Sequence, residues 1–225
     1  IDLERDPRSG YYLMPVAGFP ALTAANLPGF GSDHFHFMKQ FDHTAGLLVL
    51  LHDQSSGSVR PGSGFSRPEI RYSLEEEDRR RLARGLVHSA KLLFAGGARS
   101  VFVPYWVDPL ELEPGDPLDA IEERGVREGE LSISATHPQS TCAMGSDPSK
   151  SVVNAFGESH DVSGLFVADA SVFPTSLGAP PQITTAATSV PQKIPLAAPC
   201  QPSCSAGMAP TMKPTKVRWN TGVTL

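Results

Sequence analysis

His137 opens the stretch of this chain in which residue types and spacing carry chemistry. The run Thr136-His137-Pro138-Gln139-Ser140-Thr141-Cys142-Ala143-Met144-Gly145 sets one imidazole before a small, polar, turn-forming segment. An imidazole takes up or releases a proton near neutral pH without a large shift, as a general base must. The blander reading is a structural histidine. No further ligand lies at a spacing used by zinc sites, so no metal is assigned. Cys142 leaves open a thiol–imidazole nucleophile pair, which depends on orientation in space rather than on spacing. Downstream, Gly164-Leu165-Phe166-Val167-Ala168-Asp169-Ala170-Ser171 reads as a short apolar strand ending in a carboxylate and small residues. Asp169 there either hydrogen-bonds a ribose or ribityl hydroxyl or caps a turn. The segment from Phe173 to Thr188 then reads as a proline-stiffened loop entering a helix, with Pro181 at the first helical position. The free N–H groups of such a helix start suit an anionic group.

Several elements must position these residues. Residues 1–33 are rich in Gly and Pro and read as irregular. Asp33 to Phe41 alternates apolar and polar residues, the period of a half-buried strand with His34 and His36 on one face. That pair fits a solvated strand face better than a metal site. Ala45 to His52 is nearly all apolar and predicts a strand buried on both faces. A turn at Gly57–Pro61 and a strand at Pro68–Tyr72 continue an antiparallel succession. Ser73 to Gly96 predicts a helix: Ser73 and Glu76 form a capping box, Leu82, Leu86, Ala90 and Leu93 recur at helical spacing, and Gly96-Gly97 ends it. Arg79-Arg80-Arg81 reads as a solvated face, and His88 as structural. Ser100 to Val107 reads as a strand, and residues 108–130 as an acidic loop with one short helix. Residues 191–225, with repeated prolines and no apolar periodicity, read as a flexible tail.

Composition excludes some functions. A net charge of -5 and a pI near 5.8 lack the basic footprint of a nucleic-acid binder. No apolar run approaches the length of a membrane span, so no transmembrane segment is expected. Three cysteines, an odd number with Cys200 and Cys204 in the tail, argue against a disulfide framework and favour a reducing, cytoplasmic setting. Ile1-Asp2-Leu3-Glu4-Arg5-Asp6 has no initiator Met and no signal-peptide pattern, and reads as the interior of a longer chain.

Taken in order, His137, Ser140-Thr141-Cys142-x-Met144-Gly145, Asp147-Pro148, Ser151-Val152-Val153-Asn154 and Gly164 to Thr175 resemble the C-terminal signature of the glucose-methanol-choline (GMC) oxidoreductases. The wording from Val167 to Gly178 is closest to the long-chain alcohol oxidase and bacterial GMC dehydrogenase branch. Upstream, Gly57-Ser58-Val59, Pro68 to Tyr72 and the helix after them resemble the family's substrate domain. The resemblance implies an α+β fold: a substrate-domain-like region over 1–130, an antiparallel sheet flanked by helices, and a segment of an incomplete FAD-binding domain over 131–190. It implies FAD as cofactor and an alcohol as substrate, with His137 as the base facing the flavin ring. Asp169 and Ala170 would contact the ribityl-pyrophosphate region, and Gln182 and Ile183 would lie near the ring.

This sequence departs from the family pattern in two places. Where the branch reads Gly-x-Asn-Pro-Gln, the chain reads Gly178-Ala179-Pro180-Pro181-Gln182, so Pro180 supplies no polar group to orient an alcohol. No G-x-G-x-x-G phosphate loop is present, so most of the FAD grip would come from an N-terminal half outside this chain. Pro191 and Pro195 also interrupt the expected last helix. Two other readings follow: a non-catalytic remnant or binding module, and a GMC-type lyase acting on cyanohydrins with His137 as base.

Overall fold

The computed structural model describes residues 10–62, 67–189 and 215–224. The fold is α+β, with small antiparallel sheets and helices, and the chain divides into two compact units. The first takes in residues 10–55, 73–136 and 220–224; the second takes in 56–62, 67–72, 137–189 and 215–219.

In the first unit, β1 (Tyr11–Val16) pairs antiparallel with β2 (Gly46–Leu51), with Tyr11 opposite Leu51 and Val16 opposite Gly46. Leu47 to Leu51 are all buried, as the continuous apolar run required. Helix α3 (Glu76–Ala95) supplies Leu82, Leu86 and Ala90, each fully buried, to the same core. Burial of each such leucine contributes about 1.5–3 kcal/mol. Gly85 lets the helix approach β2, because a Cβ there would lie 2.4 Å from Val49 Cγ1. Strands β5 (Val101–Val103) and β6 (Leu110–Leu112) form a separate hairpin, followed by α4 (Asp119–Arg124) with Ile121 buried.

The helix start differs from the capping box expected at Ser73. Helix α3 begins at Glu76, and Ser55, distant in sequence, does the capping: its Oγ accepts from Glu75 N at 2.9 Å. Buried Asp78 completes the joint. Its Oδ2 accepts from Gln54 N, Ser55 N and Ser55 Oγ at 2.8, 2.8 and 2.6 Å, and its Oδ1 accepts from Arg81 at 3.2 Å. Arg81 is therefore mostly buried rather than part of a solvated arginine face, while Arg80 remains exposed beside Glu76. Tertiary hydrogen bonding has replaced the local cap. His88 has the structural role expected, bonding Tyr11 Oη through Nδ1.

Three further expectations are corrected. Residues 10–33 are not all irregular: they include β1 and helix α1 (Pro20–Asn26). The alternating run from Asp33 to Phe41 is helix α2 (Ser32–Lys39), not a strand. Lys39 sits over the Phe35 ring and Gln40 bonds His36, both at helical i,i+4 spacing, and Phe37 packs in a tilted contact against Phe102. On a helix, His34 and His36 no longer share a face; His34 bonds the Ala24 carbonyl instead. Finally, Thr215–Thr224 is a strand, β8, inside the region read as a flexible tail. Residues 222–224 pair with β2, and residues 215–217 pair with β3 (Gly57–Arg60). This long-range pairing leaves no trace in local periodicity. Residues 190–214, with Pro191, Pro195, Cys200 and Cys204, lie outside the described residues.

In the second unit, β3 pairs antiparallel with β4 (Glu69–Tyr72). The remainder is mostly loop, closed on a small core of Val153, Val172 and Phe173, with Met144, Val152, Val167 and Ala170 against it. No helix among the described residues is long and apolar enough to cross a membrane.

Candidate active site

Strand β7 (Ile133–Gln139), which the sequence reading does not anticipate, delivers His137. Its burial alternates, so His137 lies on the inner face with Ile133, Ala135 and Gln139, while Pro138 is exposed. Burial lowers the His137 pKa below its ordinary 6.5. The ring is thus held neutral at neutral pH, the form that accepts a proton.

The strand ends on two costly residues. Gln139 is fully buried, and its Oε1 has no hydrogen-bond partner among the described residues. Ser140, also buried, leaves its Oγ unpartnered and has a φ of 69°, a left-handed conformation that favours glycine. A buried unpaired polar group costs about 1–3 kcal/mol, and left-handed backbone on a non-glycine about 1–2 kcal/mol. Such costs concentrate where a site needs a fixed geometry. Sequence reading missed Gln139; the period-2 signal, placing it on the His137 face, could have found it.

Beyond the turn, the two motifs are joined by backbone. Cys142 N donates to Ser171 O at 2.9 Å and Met144 N to Val172 O at 2.8 Å, which ties the segment after His137 to the turn after Asp169. Gly145 N and Val152 N extend the ladder to Val153 O and Ala143 O. Cys142 is a free, half-buried thiol making no hydrogen bond among the described residues, so no thiol–imidazole pair forms. His160 bonds Ser151 Oγ and Gly145 O, each at 3.0 Å, and braces the loop between the motifs.

The expected strand over 164–169 is not formed. Phe166 makes only an isolated bridge to Glu158, and Asp169 caps a short 3-10 turn at Ala170–Val172. Its Oδ1 accepts from Ser171 N at 2.8 Å. Asp169 is exposed, and Ala170 packs beside it against the small core. Helix α5 (Gln182–Ser189) begins directly after Pro181, which stands just before the helix rather than at its first position, and the Pro181 carbonyl accepts the first hydrogen bond of the helix, from Thr185 N. Gln182 and Ile183 therefore occupy the first turn, whose N–H groups have no acceptor within the helix. Ile183 is 86% exposed, a bare apolar side chain on a charge-free helix start. These residues fit part of FAD: a carboxylate for its hydroxyls, and an apolar side chain with free amides for its ring. The geometry puts Asp169 and Ala170 on one turn and Gln182 and Ile183 on one helix end, both in the same unit as His137.

Residues 53–189 match the family model described as GMC oxidoreductase. A long-chain-alcohol oxidase of Arabidopsis thaliana, FAO4A, is 34% identical over 175 residues, 73% of this chain and 23% of that protein. An uncharacterized GMC-type oxidoreductase of Sinorhizobium fredii is 31% identical over 170 residues, 73% of this chain and 32% of that one. A crystal structure of pyridoxine 4-oxidase from Mesorbium loti aligns with a TM-score of 0.38 and 22% identity, over 64% of this chain and 32% of that one. The chain thus spans about a third at most of each of these proteins. With its match covering more than half of the residues, including His137 and both flanking motifs, the chain belongs to the GMC oxidoreductase family and carries that family's C-terminal domain.

Proposed function

We propose that this chain is the catalytic-base portion of an FAD-dependent oxidoreductase that oxidises the CH–OH group of an alcohol. The observation that carries this reading is His137, kept neutral by burial at the end of β7 and tied through Cys142 and Met144 to the Asp169 turn. FAD, when bound, would accept the hydride from the alcohol carbon. His137 would accept the hydroxyl proton at a ring nitrogen as the hydride leaves. Asp169 would receive hydrogen bonds from hydroxyls of the cofactor, with Ala170 packed beside it. The first turn of α5 would present the Gln182 and Ile183 amides to the electron-rich ring. Most of the remaining grip would come from an N-terminal flavin-binding half.

The test is a flavin absorbance spectrum of the purified chain, with FAD alone and with the flavin-binding portion of a related GMC oxidoreductase. Anaerobic bleaching by an alcohol, lost in His137→Asn, is the expected result. Pro180 favours a second reading, a binding module without turnover, because it offers no polar group to orient the hydroxyl. Bound flavin that no alcohol reduces would establish that second reading instead.

A further inference from the structure

We infer that Gln139 is a positioning residue for His137: its amide N–H holds the His137 backbone, and its buried oxygen is kept for the ring N–H that appears when His137 takes up a proton. This rests on the base role proposed above. The two residues are two apart on β7, so their side chains leave the same face. Gln139 Nε2 donates back to the His137 carbonyl oxygen at 3.3 Å. That bond fixes the amide's orientation, since a flipped amide would set its oxygen against the His137 carbonyl, acceptor to acceptor. Oε1 is then left buried and without a partner among the described residues.

Packing alone does not account for this choice of side chain. A methionine would fill nearly the same volume without an orphan acceptor. The left-handed Ser140 that follows pins the end of the strand, so the amide cannot relax outward without moving the turn. Chemistry does account for it. A neutral imidazole has one N–H, and an imidazolium has two. Proton uptake therefore creates a donor on the same strand face as an acceptor that has no partner among the described residues. Burial disfavours the protonated form of His137, so an acceptor on the same strand face would help to stabilise it.

The test is an NMR titration of the His137 ring in the full chain, with His160 and His36 as internal controls. In Gln139→Met, which conserves volume and removes the acceptor, the His137 pKa should fall by about half a unit or more. In Gln139→Glu, which keeps an acceptor, it should rise. A His137 titration unmoved in both variants would overturn the proposal and make Gln139 a packing residue. If Gln139→Met does not fold, Gln139→Glu decides alone, with an unchanged pKa overturning the proposal. The base role fails separately: alcohol turnover surviving His137→Asn in the flavin-loaded assembly would defeat it, whatever the titrations show.

Discussion

The region around β2 and α3 is held together by side chains, whereas the region from Ser140 to Phe173 is held together by backbone. In the first, five consecutive residues of β2 are buried, as are Leu82, Leu86 and Ala90 of α3, and Gly85 sets the helix-to-strand distance at Val49. In the second, three buried side chains close a loop whose shape comes from hydrogen bonds such as Cys142 N to Ser171 O and Val167 N to Gly157 O. Apolar packing is strong and indifferent to chemistry. A hydrogen-bonded loop buries little but places polar groups closely, which suits a site. Stability and chemistry should therefore separate between the two regions.

That separation can be broken by mutation. The largest effect should come from His137→Asn, which should lower alcohol turnover of the flavin-loaded assembly roughly 10²–10⁴-fold while leaving the thermal midpoint nearly unchanged. A large loss of stability would show that His137 is structural. Leu86→Ala should do the reverse, costing about 2–5 kcal/mol in urea unfolding. Gly85→Ala sets two effects against each other. Its new Cβ meets Val49 at 2.4 Å and Tyr11 at 3.4 Å. Overpacking costs about 1–3 kcal/mol, against a gain in helix propensity of about 1 kcal/mol. A net loss in the same unfolding assay is expected; a net gain would mean that β2 and α3 can move apart.

Smaller effects sharpen the picture on the site side. Ser140→Gly should stabilise the chain by about 1 kcal/mol, since it removes both the left-handed strain and a buried unpaired hydroxyl, offset in part by the freedom of glycine in the unfolded chain. Differential scanning calorimetry would show it. The pH effect should be the smallest. Because the folded-state pKa of His137 lies below its ordinary 6.5, its contribution to stability is complete above that pH. It is lost as pH falls through the folded value. His137→Asn should flatten that acidic slope of stability against pH, and an unchanged slope would place its origin elsewhere.

What the sequence alone determined is what short-range pattern encodes. The apolar run of β2, the Leu82–Leu86–Ala90 stripe, the start of α5 after Pro181 and the motif order from His137 to Thr175 were all legible, because periodicity and proline chemistry act over a few residues. The motif order also carried the family. Tertiary structure decided the rest. It turned the alternating run from Asp33 into a helix, moved the cap of α3 from Ser73 to Ser55, made Asp169 a turn cap rather than a strand end, and recruited Thr215–Thr224 into strand pairing. The cap of α3 and the strand pairing of Thr215–Thr224 rest on hydrogen-bond partners far away in sequence. For Gln139 the residue type is visible in the sequence, but only the folded strand buries its amide and leaves one oxygen without a partner among the described residues, on the His137 face of β7. Backbone and buried polar groups must find partners wherever the fold brings them, and local sequence does not record where that is.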